Sequence, residues 1–453
     1  MNPNLSRQRG AVAIMVAVSM LVLLAVVGLC VDAGLAYLVK ARLNAAVDSA
    51  ALAGARAVTT GNNQTEQIAS ARAAAADFFA ANIPNNYLLS SPRITSTNVT
   101  FNGGEATIDV KAEAPMPVSI MQIMNFTTLT PVAAAQTIRN DLDMALVIDT
   151  SGSIGAAGPG VRASAKSFLN KFNVTQDRVA LIHFASGAVV DTPIALSARG
   201  FNRSAMNTKI NSFTFEDGTA SVESMWNARD QLNKVPQGSR STMRVIVFFS
   251  DGAPTAFGSY LIFDNKDKDC IEPGTLDSVG PTYALGDLNS ASFNSVSDKC
   301  RLVRNNSYAA RRLPNFYNAH APDWKTATDV NFTSEFPVVT KGPREVTADL
   351  SGNYARNVDR AARNLAESVA AKARDEGIYV FTLGLGAALK STSAHDTAHT
   401  GEMVLKCMAN TVDAPLRCQT PNQPVGMYCY AATDNDLTPC FSRLASAILR
   451  ITK

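Results

Sequence analysis

Ala11–Val31 is an uncharged apolar run of 21 residues, long enough to cross a bilayer as a helix. The helical pattern continues past it. Asp32 to Val58 is alanine-rich and free of proline, with glycine only at Gly34 and Gly54, which predicts one long helix with a face suited to close packing. After a break at Gly61-Asn-Asn, Thr65 to Asn82 reads as a second alanine-rich helix closed by Pro84. Three alternating runs follow, Arg93 to Phe101, Glu105 to Ala112 and Leu129 to Ile138, with Asn102-Gly103-Gly104 as a hairpin signal between the first two. Residues 62–140 therefore predict a small α+β module, one helix on a three-stranded sheet.

From Asp141 the pattern changes to alternating strand and helix, as a doubly wound, mostly parallel sheet requires. Helices are expected at Val161–Phe172, Ser221–Leu232, Asn357–Asp375 and Asp436–Ile451. Strands are expected at Met144–Asp149, Val179–Phe184, Met243–Phe249 and Ile378–Leu383, with an edge-like run at Ala188–Ile194. Two stretches interrupt this order, about 256–353 and 387–428. The expected organisation is a cytoplasmic amino terminus (1–10), a transmembrane helix (11–31), the module (32–140) and an α/β domain (141–453).

Two of these strands end on carboxylates. Met144-Ala-Leu-Val-Ile-Asp149 is a continuous apolar run, the mark of a strand buried on both faces, and Ser151 and Ser153 follow at alternate positions. Arg244-Val-Ile-Val-Phe-Phe-Ser250-Asp251 repeats the design, and Gly218-Thr219 opens a helix with a further hydroxyl. In open α/β sheets ligands sit at the carboxyl ends of strands, and right-handed crossovers bring all three loops to one edge. Oxygen-only donors suit a hard divalent cation, Mg²⁺ or alternatively Ca²⁺ or Mn²⁺, and are a poor match to zinc. The set resembles the metal-ion-dependent adhesion site of von Willebrand factor A domains, whose pattern is D-x-S-x-S, a threonine, then an aspartate after a hydrophobic strand. Asp149, Ser151, Ser153, Thr219 and Asp251 match it one by one. The resemblance implies a docking point in which the cation accepts a carboxylate from a partner protein, with no catalytic residue.

Net charge is only +3, so nothing in the balance argues for nucleic acid. Cys30 lies in the apolar segment. The other six cysteines, Cys270, Cys300, Cys407, Cys418, Cys429 and Cys440, fall in the second half. An even number in a loop-rich region predicts disulfides and an oxidising compartment. Fifteen pairings are possible; proximity favours Cys270 with Cys300, Cys407 with Cys418, and Cys429 with Cys440.

Arg7 and Arg9 precede the apolar run, so the positive-inside rule keeps the amino terminus cytoplasmic. A cleavable signal peptide is the rival reading, but its apolar core is shorter and no A-x-A site closes this one. Arg9-Gly-Ala-Val-Ala-Ile through Asp48-Ser-Ala-Ala-Leu-Ala-Gly-Ala55 resembles the pilin-like amino-terminal segment of TadE/TadG-like proteins of the Flp (Tad) pilus assembly system. One departure is Met15, five residues after Gly10, where processed prepilins carry glutamate. The module at 62–140 resembles the periplasmic part of TadE-like proteins. The tail, from Gly401-Glu-Met-Val-Leu-Lys through Gly426-Met-Tyr-Cys-Tyr430, resembles TadG carboxyl ends.

Other motifs imitate catalytic ones and fall short. His395-Asp396-Thr-Ala-His399 with Glu402 lacks the glutamate that a zinc protease helix needs after its first histidine. Gly384-Leu-Gly386-Ala-Ala-Leu389-Lys390-Ser391 has Leu389 where a phosphate loop needs glycine. His183 reads as a core residue, and Ser250 shows no base partner. The resemblances together imply a single-pass protein of the bacterial inner membrane, its bulk periplasmic, gripping other Tad/Flp assembly proteins or pilin through an acidic residue. Alternatives are a metal-dependent hydrolase using His183 as base, or a tether or adhesin incorporated into the pilus.

Overall fold

The structure is a computed structural model, describing residues 9–58, 60, 64–102, 105–119, 122, 126–139, 141–263, 270–279, 312–320 and 333–451. The chain forms two compact units, Met1–Arg139 and Asn140–Lys453.

In the first unit α1 (Arg9–Ala57) is one helix of 49 residues. At 1.5 Å per residue it runs about 74 Å, more than twice the hydrocarbon thickness of a bilayer. Its amino half exposes a continuous apolar surface, including Val12, Ile14 and Leu23. From Val39 onward one face is buried, through Leu43, Ala46, Val47, Ala50 and Ala51. Small residues on that face let α2 (Gln64–Asn82) approach closely. A Cβ at Gly54 would stand 3.2 Å from the Ala71 carbonyl and 3.1 Å from Ile108.

The partner sheet is antiparallel, in the order β1 (Arg93–Asn102), β2 (Glu105–Glu113), β5 (Val132–Arg139). The central strand buries Ala106, Ile108, Val110 and Ala112 against the helices. A two-residue pair, β3 (Met116–Pro117) with β4 (Thr128–Leu129), precedes β5. The expected single strand Leu129–Ile138 is thus two pieces, because Pro131 lacks the N–H a continuous ladder needs. Gly103 and Gly104 of the expected hairpin turn lie outside the described residues, while Asn102 pairs with Glu105.

The second unit is an α/β sandwich. Its sheet comprises β6 (Leu142–Asp149), β7 (Arg178–Phe184), β8 (Ala188–Thr192), β9 (Met243–Ser250), β12 (Ile378–Leu385) and β13 (Tyr428–Ala431). Their order is β13-β12-β9-β6-β7-β8, parallel except for the antiparallel edge strand β8. Side chains alternate between two cores along every strand. Met144, Leu146, Ile148, Val245, Val247 and Phe249 face α3 (Gly158–Leu169), α4 (Arg203–Asn211) and α8 (Leu437–Ile451). Ala145, Val147, Ile246 and Phe248 face α5 (Ser221–Lys234), α6 (Tyr354–Asp375) and α7 (Gly401–Ala409).

The described parts of 256–353 are more than a loop. They contain a hairpin, β10 (Ala256–Phe263) with β11 (Cys270–Asp277). Phe257, Tyr260, Leu313, Tyr317, Phe336, Val338 and Val346 extend the core over α5 and α6. The 387–428 stretch, expected as a second insertion, contains α7, which covers the sheet beside β12. Disulfides join Cys407 to Cys418 and Cys429 to Cys440, as proximity predicts. The third expected pair involves Cys300, which lies outside the described residues. Cys30 is free and exposed.

Candidate metal centre

Strand register places the two carboxylates. Asp149 ends β6 and Asp251 directly follows β9, and the two strands are adjacent and parallel, with Ile148 opposite Phe249. Both loops therefore leave the sheet side by side. Asp149 is fully buried and Asp251 nearly so.

Beyond β6 the chain turns sharply over Gly152, whose N–H donates to the Asp217 carbonyl at 3.0 Å. The turn folds the two serines back toward the carboxylates. Ser151 N–H donates to Asp149 Oδ1 at 2.8 Å, and the Ser151 and Ser153 hydroxyls are 3.1 Å apart. Ser153 Oγ donates to Asp251 Oδ1 at 2.8 Å. Four of the five sequence-predicted residues thus form one hydrogen-bonded cluster.

Thr219 joins them by position. It precedes α5 and lines the same cavity, of about 560 Å³, as Ser153 and Gly252. Among the described residues no hydrogen bond links its hydroxyl to the cluster. Asp217, Thr255, Asp277, Arg363, Ser391, Thr392 and Ser393 also line that cavity.

The electrostatics leave the two carboxyls short of positive charge. Burial, reinforced by the facing Asp251, pushes the Asp149 carboxyl up to about 7 against the Ser151 and Ser250 hydrogen bonds. Burial likewise raises Asp251 against the donation from Ser153. Among the described residues no basic side chain pairs with either. Two buried acids without a counter-charge must hold a proton or a cation. The two carboxylates and the Ser151 and Ser153 hydroxyls of the cluster, with Thr219 lining the adjoining cavity, are oxygen donors of the type that suits a hard divalent ion.

Ser250, which shows no base partner in the sequence, has an orienting role. Its hydroxyl donates to Asp149 Oδ2 at 2.5 Å and accepts from Gly252 N–H at 3.2 Å, so it fixes one carboxylate and the other's loop together. Its place directly before Asp251 is the one signal in the sequence that could have found it.

The motifs that imitate catalytic ones fall elsewhere. His183, expected in the core, is half-buried and bonds through Nδ1 to Asp191 Oδ2 at 2.6 Å while its ring lies tilted against Phe213. Asp396 sits in a loop between Arg344 Nε, at 2.6 Å, and His399 Nδ1, at 2.9 Å. Leu389 is buried in a short 3₁₀ turn under Gly384 and Gly401.

Residues 143–267 match the family model of the von Willebrand factor type A domain, and residues 10–57 match that of Flp pilus-assembly TadE/G-like proteins. No curated protein matches the chain. Similar solved structures include the pilus adhesin SpaC from Lactobacillus rhamnosus GG, at 14% identity and TM-score 0.38, covering 80% of this chain and 35% of that one. The chain therefore spans about a third of SpaC's length. The PilB minor pilin from Streptococcus sanguinis matches at 11% identity and TM-score 0.37, covering 80% and 79%. The vWF domain of the type V pili tip protein Mfa5 from Porphyromonas gingivalis matches at 16% identity and TM-score 0.36, covering 70% and 98%.

Proposed function

From a chain that joins a TadE/G-like amino-terminal segment to a von Willebrand factor type A domain, we propose a membrane-anchored, periplasm-facing component of Flp pilus assembly. It grips a partner protein's acidic side chain through a divalent cation held by Asp149, Ser151, Ser153, Thr219 and Asp251. The observation that carries this reading is the bridging of two buried carboxylates by the serine hydroxyls with no basic residue, among the described ones, to neutralise them.

Asp149 and Asp251 would cancel the charge of the ion, Mg²⁺ in the first instance and Ca²⁺ or Mn²⁺ as alternatives. Ser151, Ser153 and Thr219 would complete its shell with neutral oxygens. The ion would supply a Lewis-acidic position for a carboxylate from outside. Ser250 keeps Asp149 from rotating away, and Gly152 holds the turn that aims both serines. The cavity beside the rim gives the incoming side chain room. His183 on β7 is committed to Asp191 on the edge strand β8, so the geometry favours docking over hydrolysis.

The test is Mn²⁺ titration of the detergent-solubilised full chain, followed by loss of the free-ion EPR signal. Wild type should bind one ion and Asp149→Ala none, with far-ultraviolet circular dichroism unchanged. Capture of pilus-assembly proteins from the membrane should be lost in EDTA and in the same variant. Capture that survives both would overturn the cation bridge.

A further inference from the structure

The loop that carries Thr219 is tied to the turn after β6 through Glu216 and Asp217, to the core through Ala220, and to the hairpin of the insertion through Thr219 itself. On the core side Ala220 N–H donates to the Ala185 carbonyl at 2.7 Å. On the other side the Thr219 carbonyl accepts from Thr255 N–H at 3.2 Å and from Ala256 N–H at 3.3 Å, the residues where β10 begins. The returning strand is fastened to the same place: Ser278 N–H donates to the Thr255 carbonyl at 3.0 Å. Thr275 Oγ1 donates to the Ser186 carbonyl at 2.9 Å, and Ser186 Oγ accepts from Gly218 N–H at 3.1 Å. Asp277 packs so closely over Gly218 that a Cβ there would meet its Oδ2 at 2.5 Å. The next helix is tied in as well, since buried Glu223 on α5 accepts from Gly258 N–H of β10 at 2.5 Å.

We propose that the β10–β11 hairpin is a clamp that positions Thr219 against the cation seat, so that seating of the hairpin and occupancy of the seat are thermodynamically linked. This rests on the cation reading above and adds its regulation. Thr219 is the one proposed ligand outside the hydrogen-bonded cluster, so its distance from the ion is set by its loop, and the hairpin holds that loop at the Thr219 carbonyl itself. A ligand displaced by about 0.5 Å already leaves productive geometry. By reciprocity, any contact that lifts the hairpin weakens the ion, and the ion's binding draws the hairpin down. Gly218, Thr275 and Asp277 are positioning residues in this scheme and touch no ion themselves.

The experiment is a double-mutant cycle read by Mn²⁺ EPR on the full chain in detergent. Thr275→Val removes one fastening while keeping side-chain shape, and Gly218→Ala crowds Asp277. Each should weaken Mn²⁺ about tenfold, with the metal-free melting curve recorded alongside so that lost affinity is separated from the stability lost with the buried hydrogen bond. In a Thr219→Ala background neither should weaken it further, because the clamp acts through Thr219. Wild-type affinity in Thr275→Val and Gly218→Ala, or a full loss that persists in the Thr219→Ala background, would overturn the clamp and leave the cation site standing. A wild-type chain that takes no Mn²⁺ would overturn both.

Discussion

Glu223 lies one helical turn beyond Thr219 and is fully buried, its Oε1 accepting from Gly258 N–H and the Tyr317 hydroxyl. Burial pushes its carboxyl up to about 7 from an ordinary 4.5. In the unfolded chain it releases its proton near the ordinary value, so between pH 4.5 and 7 the folded state binds more protons. Stability from this group is therefore fully present below about pH 4.5 and lost as pH rises through 7. The loss is on the order of 3 kcal/mol. Glu223→Gln keeps the acceptor oxygen and removes the titration. Its melting temperature should exceed that of wild type at about pH 8.5, and the gap should close by about pH 5. An unchanged gap across that range would refute the assignment. At this scale the sequence was legible where spacing alone carried the chemistry. Asp149, Ser151 and Ser153 are locally spaced, and a single turn over Gly152 gathers them. Ser250 was marked only by its place before Asp251; its reach to Asp149 comes from the register of two strands about a hundred residues apart, which no local pattern encodes.

Elements divide along the same line. β6 and β9 could be read because they are buried on both faces and spell unbroken apolar runs. The nine-residue α4 and the four-residue β13 could not. α4 buries only Met206 and Ile210, too few apolar positions to set a helical period. β13 owes its place to pairing with β12 and to the disulfide from Cys429 to Cys440, which staples it to α8. That bond closes a short loop, worth about 3 kcal/mol of denatured-chain entropy. The Cys429→Ala/Cys440→Ala pair should lose about that much stability in urea, with the denaturant slope slightly raised because the denatured chain is no longer cross-linked. Amide exchange should accelerate first at Tyr428–Ala431. Exchange that quickens instead across β6 would show that the staple supports the sheet centre, not its edge.

Across the whole molecule, the fold class followed from the change of hydrophobic period near residue 141, and the two structural units meet at the same place in the chain. The packed layer built by the described parts of 256–353 did not follow. Its apolar residues, such as Tyr317 and Val338, are scattered among polar ones and find α5 and α6 only in three dimensions. The first unit's exposed apolar helix and the second unit's disulfides make a joint prediction. Disulfides persist only in an oxidising compartment, and α1 is long and apolar enough to cross a membrane. If Ala11–Val31 is a retained anchor that exports the rest of the chain, full-length protein should stay with membranes through an alkaline carbonate wash. Cys407, Cys418, Cys429 and Cys440 should then resist alkylation until a reductant is added, while Cys30 has no disulfide partner to protect it. A chain lacking residues 1–31 would remain in the reducing cytosol, and all four cysteines should label without reductant. Labelling of those four thiols in the full-length, membrane-bound chain would place the rim of Asp149 and Asp251 on the cytoplasmic side, where it could not meet the partner proposed for it across the membrane.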